Sequence, residues 1–288
     1  GISAGIVQQL LAFLQHGVTP QVPSQGSVGY LTHMAHIGLA LMGVGDVLWQ
    51  GRTWPAAEVL SQLDLQPIAP GAKEGLSLVN GTPCMTGLAC LALDDAERLM
   101  NWADVTGAMS FEALRGQLVA FDAEILALKA SPGIQTSGQR LRELLAGSRL
   151  LAESEGLRTQ DALSLRSMPQ VHGACRDQFS HAQTQINIEL NACTDNPLIL
   201  GTVEQWRVVS QAHPHGESVA MACDLLAIAM AELGAIAERR LDRLVNPLVS
   251  GLPAFLVARP GVNSGMMIAQ YVAASLCAEN KQLAQPAV

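Results

Sequence analysis

The chain has 288 residues, of which 49% are hydrophobic and 15% are charged, and its formal net charge is -8. A chain of this length can bury one large core or two ordinary ones. An acidic chain without a basic stripe is a poor ligand for nucleic acid. So much apolar surface with so little charge indicates long helices buried on all sides or a large interface between subunits.

Almost every periodic segment of the chain predicts a helix. In chain order these segments are residues 2–16, 31–41, 88–130, 140–151, 176–193, 218–244 and 263–283. The longest contains no proline, and its weak points are Gly107 and Gly116. Alternating strand patterns are scarce, and the best covers residues 207–209. We find no linker between domains and predict a single all-α unit over residues 1–288.

Two apolar stretches, residues 27–47 and 219–241, are long enough to be compared with membrane spans. The first has one formal charge, at Asp46, but lacks aromatic or basic flanks. The second holds Asp224 and Glu232 in mid-span, and a carboxylate at bilayer depth costs several kcal/mol. We therefore expect core helices rather than membrane insertion. The first residues lack a basic region, so we expect no signal peptide.

Six cysteines lie scattered in apolar contexts, without a CxxC pair. This usage predicts buried free thiols in a reducing cytoplasm.

Histidines occur in two places where metal binding has to be considered. His213-Pro-His215 with Glu217 contains ligand types of zinc or iron. Proline between two histidines is not a known ligand spacing, so we favour a helix entry with Glu217 near the helix N-terminus. His33 and His36, three residues apart, are expected to form a polar pair in the core. No GxSxG motif supports a serine hydrolase.

Three further polar residues stand out in the connectors and the last helix. Arg166 ends the mainly apolar stretch Gln160-Asp-Ala-Leu-Ser-Leu-Arg166. A guanidinium there needs a carboxylate partner, either within the chain or on a substrate. Asn80-Gly81 predicts a turn. Glu279 is interpreted by default as part of a solvated helix end.

Short motifs follow one another along the whole chain in an order that is highly specific, although each is weak alone. They are Pro23-Ser-Gln-Gly-Ser-Val-Gly29, Met34-Ala-His36, Leu41-Met-Gly-Val-Gly45, Lys73-Glu-Gly-Leu-Ser-Leu-Val-Asn-Gly-Thr82, Gln160-Asp161 with Ser164 and Arg166, Pro169-Gln-Val171, Asp195-Asn-Pro-Leu198, His215-Gly-Glu217, Gly261-Val-Asn-Ser-Gly-Met-Met-Ile-Ala-Gln270 and Ala278-Glu-Asn-Lys281. Together they resemble the aromatic amino-acid ammonia-lyases, and histidine ammonia-lyases are nearest in pattern.

The resemblance implies an all-α, long-helix bundle of the ammonia-lyase and fumarase-like (L-aspartase-like) superfamily. It implies a cytoplasmic homotetramer whose active sites take residues from several subunits, and a small amino acid as the substrate. Neither nucleic acid nor a membrane is an expected partner. It also implies that residues 1–288 are the central part of a longer chain, with the principal catalytic base in a region that precedes them.

The cofactor of this family is MIO (4-methylidene-imidazol-5-one), an electrophile. Members carry Ala-Ser-Gly directly after the Gly-Ser-Val-Gly loop, and these three residues cyclise with loss of water. Here Gly29 is followed at once by Tyr30. The simplest account is that the triad exists between them as one modified residue, because a deletion there would rotate the next helix out of register. The rival account is a true deletion in a degenerate homologue.

Roles for four residues follow from the resemblance. Arg166 binds the substrate carboxylate in a bidentate way, and Asn80 orients MIO and the bound amine. Gln160 supports the same wall of the site, and Glu279 resembles a glutamate that histidine-type members place near the substrate ring.

The implied activity is elimination of ammonia from histidine or another aromatic L-amino acid. A MIO-dependent 2,3-aminomutase uses the same residues and is one alternative. A non-catalytic scaffold without MIO is the alternative from another class.

The chain departs from the family pattern at positions that bear on the substrate. Leu163 replaces the tyrosine of Gln-Asp-x-Tyr-Ser-x-Arg, and Ala212-His-Pro-His-Gly216 replaces Gly-Asn-Phe-His-Gly. We expect Leu163 and His213 to line the substrate pocket. Tyr30 replaces the aspartate that follows the triad, and His33 replaces a proline.

Overall fold

The computed structural model of the chain describes residues 1–26 and 31–288. Helices dominate these residues, and the strands among them are few and short. The predicted all-α class is therefore confirmed.

The α-helices are named here in chain order. They are α1 (Ala4–Gln15), α2 (Leu31–Leu41), α3 (Ala56–Gln62), α4 (Glu74–Val79), α5 (Pro83–Ala113), α6 (Ala123–Ala127), α7 (Pro132–Leu144), α8 (Arg149–Glu153), α9 (Leu163–Arg166), α10 (Met168–Leu190), α11 (Glu217–Val245), α12 (Pro247–Ser250) and α13 (Met267–Leu283). The strands are β1 (Thr19–Pro20), β2 (Asp46–Trp49), β3 (Arg52–Pro55), β4 (Leu198–Gly201) and β5 (Trp206–Val209).

Most predicted helices are confirmed, but the longest prediction was wrong in its extent. The segment 88–130 does not form one helix, because α5 ends at Ala113. Arg115 has a positive φ of 52°. A Cβ atom on Gly116 would lie 2.4 Å from the ring of Phe111, so the chain turns back over that ring where only glycine fits.

The predicted strand 207–209 is confirmed within β5, which pairs antiparallel with β4. A second sheet, with the order β1-β2-β3, was not predicted. Its strands have two to four residues, which is too short for a clear alternation of polar and apolar side chains.

The chain divides into two compact units, and the first comprises Gly1–Leu88 and Asn187–Glu217. Its core forms where α1, α2 and α3 pack with β2 around Leu41, Val47 and Leu60. This unit also contains α4 and the β4-β5 hairpin.

The second unit comprises Ala89–Ile186 and Ser218–Val288. Two clusters of buried apolar side chains form its core, one around Phe179 and one around Phe111. A Cβ atom on Gly133 of α7 would lie 2.0 Å from the backbone oxygen of Gly173 in α10, so these helices touch backbone to backbone. The division falls inside α5, α10 and α11, and the single unit over residues 1–288 stays a prediction.

A polar group, which we call the Asp104 cluster, lies within the second unit. Asp104 on α5 is fully buried. Its Oδ1 accepts from His172 Nδ1 at 2.8 Å, and its Oδ2 accepts from Arg140 Nε at 3.0 Å and from Arg176. Burial acts to raise the pKa of Asp104, but the hydrogen bond from His172 and the charge of Arg176 outweigh it, and the pKa is lowered.

Two helical runs of the described residues, Glu74–Ala113 and Glu217–Val245, are long and apolar enough to cross a membrane by length and composition. The second contains the stretch 219–241 and buries Glu238 and Arg240 among its side chains. Buried charges of this kind are typical of core helices, and the expectation of core helices stays a prediction.

All six cysteines carry free thiols. Cys175 is buried, as predicted for the set, but Cys193 is exposed. Cys193 lies in the connector after α10, where the apolar sequence around it is not covered by a core.

Candidate active site

Asn80 lies directly after α4, in the turn that Asn-Gly predicts. Its backbone N–H donates to Leu76 O at 2.8 Å, and its backbone then becomes extended. Gly81 has a φ of +98°, and a Cβ atom there would lie 2.5 Å from Thr194 Oγ1. Only glycine allows this close approach. The predicted turn is confirmed, and it brings Asn80 against Asp195.

Asp195 is the centre of a group that we call the Asp195 cluster, with Lys73, Ser77, Asn80 and Asn196. Asn80 Nδ2 donates to Asp195 Oδ1 at 3.2 Å and to the backbone oxygen of Asn196 at 3.0 Å. Ser77 Oγ donates to Asp195 Oδ2 at 2.7 Å, and Lys73 Nζ binds the same oxygen. The helix α4 therefore carries Ser77, and its two ends carry Lys73 and Asn80, all facing one carboxylate.

The charge of Asp195 is set by these contacts. Burial acts to raise its pKa, but hydrogen bonds from Lys73, Ser77 and Asn80 outweigh it and lower the pKa to about 2. Asp195 is therefore ionised at neutral pH and can only accept hydrogen bonds.

His213 is exposed, and the chain around it is tied to the same connector. Its Nδ1 lies 3.1 Å from Cys193 O, and its backbone N–H donates to Gln211 Oε1. Gln211 Nε2 donates in turn to Asp195 O at 2.5 Å. His213 as a pocket-lining residue stays a prediction.

Glu217 is the first residue of α11, so the interpretation of this stretch as a helix entry is confirmed. Across residues 1–26 and 31–288, no group of three or more metal-ligand side chains could hold a metal ion.

In the second unit, a buried carboxylate anchors the stretch that carries Gln160, Leu163 and Arg166. Asp161 accepts from the backbone N–H of Gln117 at 2.5 Å and from Arg158 Nη2 at 2.7 Å. The short helix α9 begins two residues later. Gln160 and Leu163 are exposed in this chain, Leu163 to 65%.

Arg166 ends α9 and is half-buried. Its Nε is buried and has no hydrogen-bond partner in the described part of the chain, and the same is true of Gln170 Oε1 in α10. An unsatisfied buried polar group costs about 1–3 kcal/mol, and more when it is charged. Among residues 1–26 and 31–288, Arg166 Nε therefore lacks the partner that its apolar surroundings call for.

Glu279 is exposed on α13. Within the described residues, no hydrogen bond or ion pair joins it to Gln160 or Arg166. The two residues predicted to flank the cofactor, Gly29 and Tyr30, lie outside the described residues.

A family model described as aromatic amino acid lyase matches residues 1–288. The chain belongs to this family. A histidine ammonia-lyase of Symbiobacterium thermophilum is 48% identical over 290 residues, covering 100% of this chain and 57% of the relative. One of Geobacillus kaustophilus is 47% identical over 291 residues, with the same shares. The chain therefore spans a little over half the length of these relatives.

Solved structures agree with the family assignment. Histidine ammonia-lyase from Trypanosoma cruzi has a TM-score of 0.89 and 40% identity, covering 99% of this chain and 54% of that one. Phenylalanine aminomutase of Pantoea agglomerans has a TM-score of 0.91 and 33% identity, covering 99% and 59%. The predicted fold of the ammonia-lyase and fumarase-like superfamily is confirmed by these likenesses.

The aromatic amino acid lyase family uses MIO. In this chain Gly29 is followed directly by Tyr30, without Ala-Ser-Gly. Asn80, the described residue predicted to orient the group, directs its amide nitrogen at Asp195 and Asn196. The sequence therefore does not show the triad, and MIO in this chain stays a prediction.

The sequence predicted a role for Asn80 but none for Asp195. Lys73 and Asp195 are 122 residues apart, and no local pattern pairs them. The only signal was the motif Asp195-Asn-Pro-Leu198, which placed a carboxylate in a connector.

Proposed function

We propose that this protein is a carbon-nitrogen lyase that eliminates ammonia from histidine or another aromatic L-amino acid and releases the α,β-unsaturated acid. The observation that carries the proposal is Arg166, whose buried Nε has no partner among the described residues. A guanidinium in this state binds an anion strongly, and every amino acid brings a carboxylate. Similarity to histidine ammonia-lyases supports the choice of reaction.

In the proposed reaction a base removes the β-proton, and the C–H electron pair forms the new double bond. The C–N bond breaks with its electron pair on nitrogen, which leaves as ammonia. Arg166 binds the carboxylate through charge-assisted hydrogen bonds and fixes the orientation of the β-carbon. Asn80 and Gln160 hold the amine side of the substrate.

The ring of the substrate is the variable part of the proposal. Leu163 and His213 line its pocket, and Glu279 faces the ring or amine of a histidine-like substrate. Leucine in place of the family's tyrosine removes a hydroxyl from this pocket, so a purely apolar ring is a natural competitor of imidazole.

The proposal includes MIO, formed from an Ala-Ser-Gly triad between Gly29 and Tyr30. Such an electrophile supplies the activation of the amine as a leaving group. The mass of the proteolytic fragment 27–36 tests this part. An excess of Ala-Ser-Gly less two water molecules supports MIO. A mass equal to the written residues supports the non-catalytic scaffold instead.

We also propose a cytoplasmic homotetramer with no nucleic-acid or membrane partner. Several large apolar side chains of α5 are exposed in the single chain, among them Leu91, Trp102 and Met109. Contact with other subunits would remove such surface from water. Light scattering of the purified protein tests the assembly, and a monomer would contradict it.

Replacing Arg166 tests the proposed function. We expect Arg166→Ala to lower kcat/KM for ammonia release by about 10²–10³-fold, because a buried charge-assisted contact contributes about 2–5 kcal/mol. Histidine, phenylalanine and tyrosine are assayed in parallel, and Arg166→Lys should recover only part of the loss, since lysine lacks the bidentate fork. Arg98→Ala is the control, because Arg98 is 66% exposed and pairs within α5. Equal activity of Arg166→Ala and wild type would refute the proposal, as would a wild type that releases no ammonia.

An aminomutase is the second candidate. The tyrosine aminomutase structure from Streptomyces globisporus is 36% identical to this chain with a TM-score of 0.87, and the Pantoea agglomerans aminomutase is similarly close. Product analysis separates the two reactions. A β-amino acid with little free ammonia indicates the aminomutase, whereas an unsaturated acid with equimolar ammonia indicates the lyase.

A further inference from the structure

The hydrogen-bond partners of Asn80 determine which position its amide nitrogen Nδ2 occupies and which its amide oxygen Oδ1 occupies. Asn80 Nδ2 lies 3.2 Å from Asp195 Oδ1 and 3.0 Å from the backbone oxygen of Asn196. An ionised carboxylate and a carbonyl can only accept hydrogen bonds, so the amide nitrogen with its two donors has to occupy this side. A flipped amide would set oxygen against both oxygens. The chemistry of the partners therefore settles the orientation.

The other end of the amide is Oδ1, which is an acceptor. Within residues 1–26 and 31–288, no hydrogen bond to Asn80 Oδ1 is formed. A ligand that reaches Asn80 therefore meets a hydrogen-bond acceptor and not a donor. Of the two charged groups that every amino acid carries, the carboxylate only accepts hydrogen bonds and the ammonium group donates them.

Asp195 is itself held in place by the rest of its cluster. Its Oδ2 accepts from Ser77 and Lys73, which leaves Oδ1 for Asn80. The side chains of Lys73 and Asp195 are 16% and 13% exposed, and Lys73 balances the negative charge. A shielded, charge-balanced carboxylate of this kind gives Asn80 one orientation in place of two.

We infer that Asp195 is a positioning residue, which holds Asn80 Nδ2 so that Asn80 Oδ1 accepts a hydrogen bond from the ammonium group of an amino-acid ligand. The inference rests on the proposed function. It gives Asp195 a part in recognition of the amine. A site of this kind binds an amino acid in preference to the deaminated acid with the same ring.

The test compares Asp195→Asn with wild type, using ligands that differ only in the amine. L-histidine is paired with imidazolepropionate, and L-phenylalanine with hydrocinnamate. An amide at position 195 can donate as well as accept, so Asn80 loses its single orientation. We expect the KM of the amino acid to rise about tenfold while the Ki of the matched acid changes less than about twofold. Asp177→Asn is the matched control, because Asp177 accepts from Ser131 and Gly133 instead, and it should move neither constant.

A purely structural role would weaken both ligands of a pair to the same extent, and that result overturns the inference, as does no change in either. Asp195→Glu serves where Asp195→Asn does not fold. It keeps the charge that balances Lys73 but displaces the acceptor by one methylene, and the same selective loss is expected, to a smaller degree.

The failure of the proposed function gives a different result. A wild type without turnover contradicts the lyase. The inference is then decided by calorimetry, which measures whether Asp195→Asn weakens binding of the amino acid about tenfold while binding of the matched acid changes less than about twofold. A wild type that binds neither member of either pair overturns both.

Discussion

Asp104 in the second unit and Asp195 in the first each organise a polar cluster around one carboxylate, but the surroundings differ. Asp104 is fully buried, and its three cationic or imidazole partners come from α7 and α10. Asp195 is 13% exposed, and its partners include Lys73, a hydroxyl and an amide. Each pKa lies below its usual value.

The difference lies in what the partners do next. In the Asp104 cluster the acceptors of one carboxylate join three helices, so its contacts hold the packing of the second unit. In the Asp195 cluster the inferred role of one partner, Asn80, is to offer its amide oxygen to a ligand. On that inference, a carboxylate cluster serves stability where it is fully buried and orientation where it is partly exposed.

The largest effect on stability is expected at Asp104. Asp104→Asn removes the charge that balances Arg176 and replaces one of the two acceptor oxygens, which serve His172, Arg140 and Arg176, by an N–H donor. We expect the free energy of unfolding to fall by about 3–5 kcal/mol, since a buried charge loses its partner. Urea denaturation followed by circular dichroism measures it. A loss below about 1 kcal/mol would show that the cluster does not hold the helices.

The close packing of α7 against α10 provides a second test of what stabilises the second unit. A Cβ atom on Gly133 meets the backbone oxygen of Gly173 at 2.0 Å, and backbone atoms cannot move away without shifting a helix. We expect Gly133→Ala to cost about 2–3 kcal/mol through overpacking. Gly147→Ala is no suitable control because of its positive φ. Gly87 is exposed in α5 and has open space around it, so Gly87→Ala should not lower the stability in the same experiment, and its helix propensity favours a gain of up to about 1 kcal/mol.

Acid tests the cluster of Asp195. Its folded pKa of about 2 lies below the ordinary value of 3.8, so its contribution is present above about pH 4 and is lost as the pH falls towards 2. The shift corresponds to about 2 kcal/mol. Between pH 5 and pH 2, wild type should lose about that much more stability than Asp195→Asn. Parallel curves for the two proteins would contradict the lowered pKa.

The smallest effect is expected where a carboxylate cluster is exposed. Arg98 pairs with Asp94 and Asp95 on α5, and all three side chains are 66–69% exposed. Arg98→Ala should change the free energy of unfolding by less than about 0.5 kcal/mol, because solvent screens such pairs. A larger change would mean that the contribution of these clusters to the free energy of unfolding does not increase with their burial.

Helices were predictable from the sequence because their signal is local. The points at which a long helix is interrupted were harder to predict. The predicted α2 and α11 are correct to within a residue at each end. The end of α5 depends on Gly116 passing over the ring of Phe111. The sequence marked Gly107 and Gly116 alike as weak points, and no pattern showed that the helix continues through the first and ends before the second. The sheet formed by β1, β2 and β3 has strands too short to show alternation.

Single residues of the candidate site were predictable where a motif carries them, and their partners were not. Asn80 and Arg166 stand in family motifs, which gave them roles before the structure was known. The pairing of Asn80 with Asp195 joins positions 115 residues apart. Arg166 Nε is buried without a partner among the described residues, and no spacing in the sequence reveals burial of a single atom.

Cys193 and Cys175 differ in how fast a thiol reagent can modify them. Cys175 donates its thiol hydrogen to Ala229 O, and burial raises its pKa to about 11, so only about one molecule in ten thousand carries the reactive thiolate at pH 7. Cys193 is exposed, and its backbone oxygen contacts His213. An alkylating dye would mark Cys193 in the native protein and reach Cys175 only when α10 separates from α11. One reagent thus reports the exposure of the connector and the opening of the helix core on separate time scales.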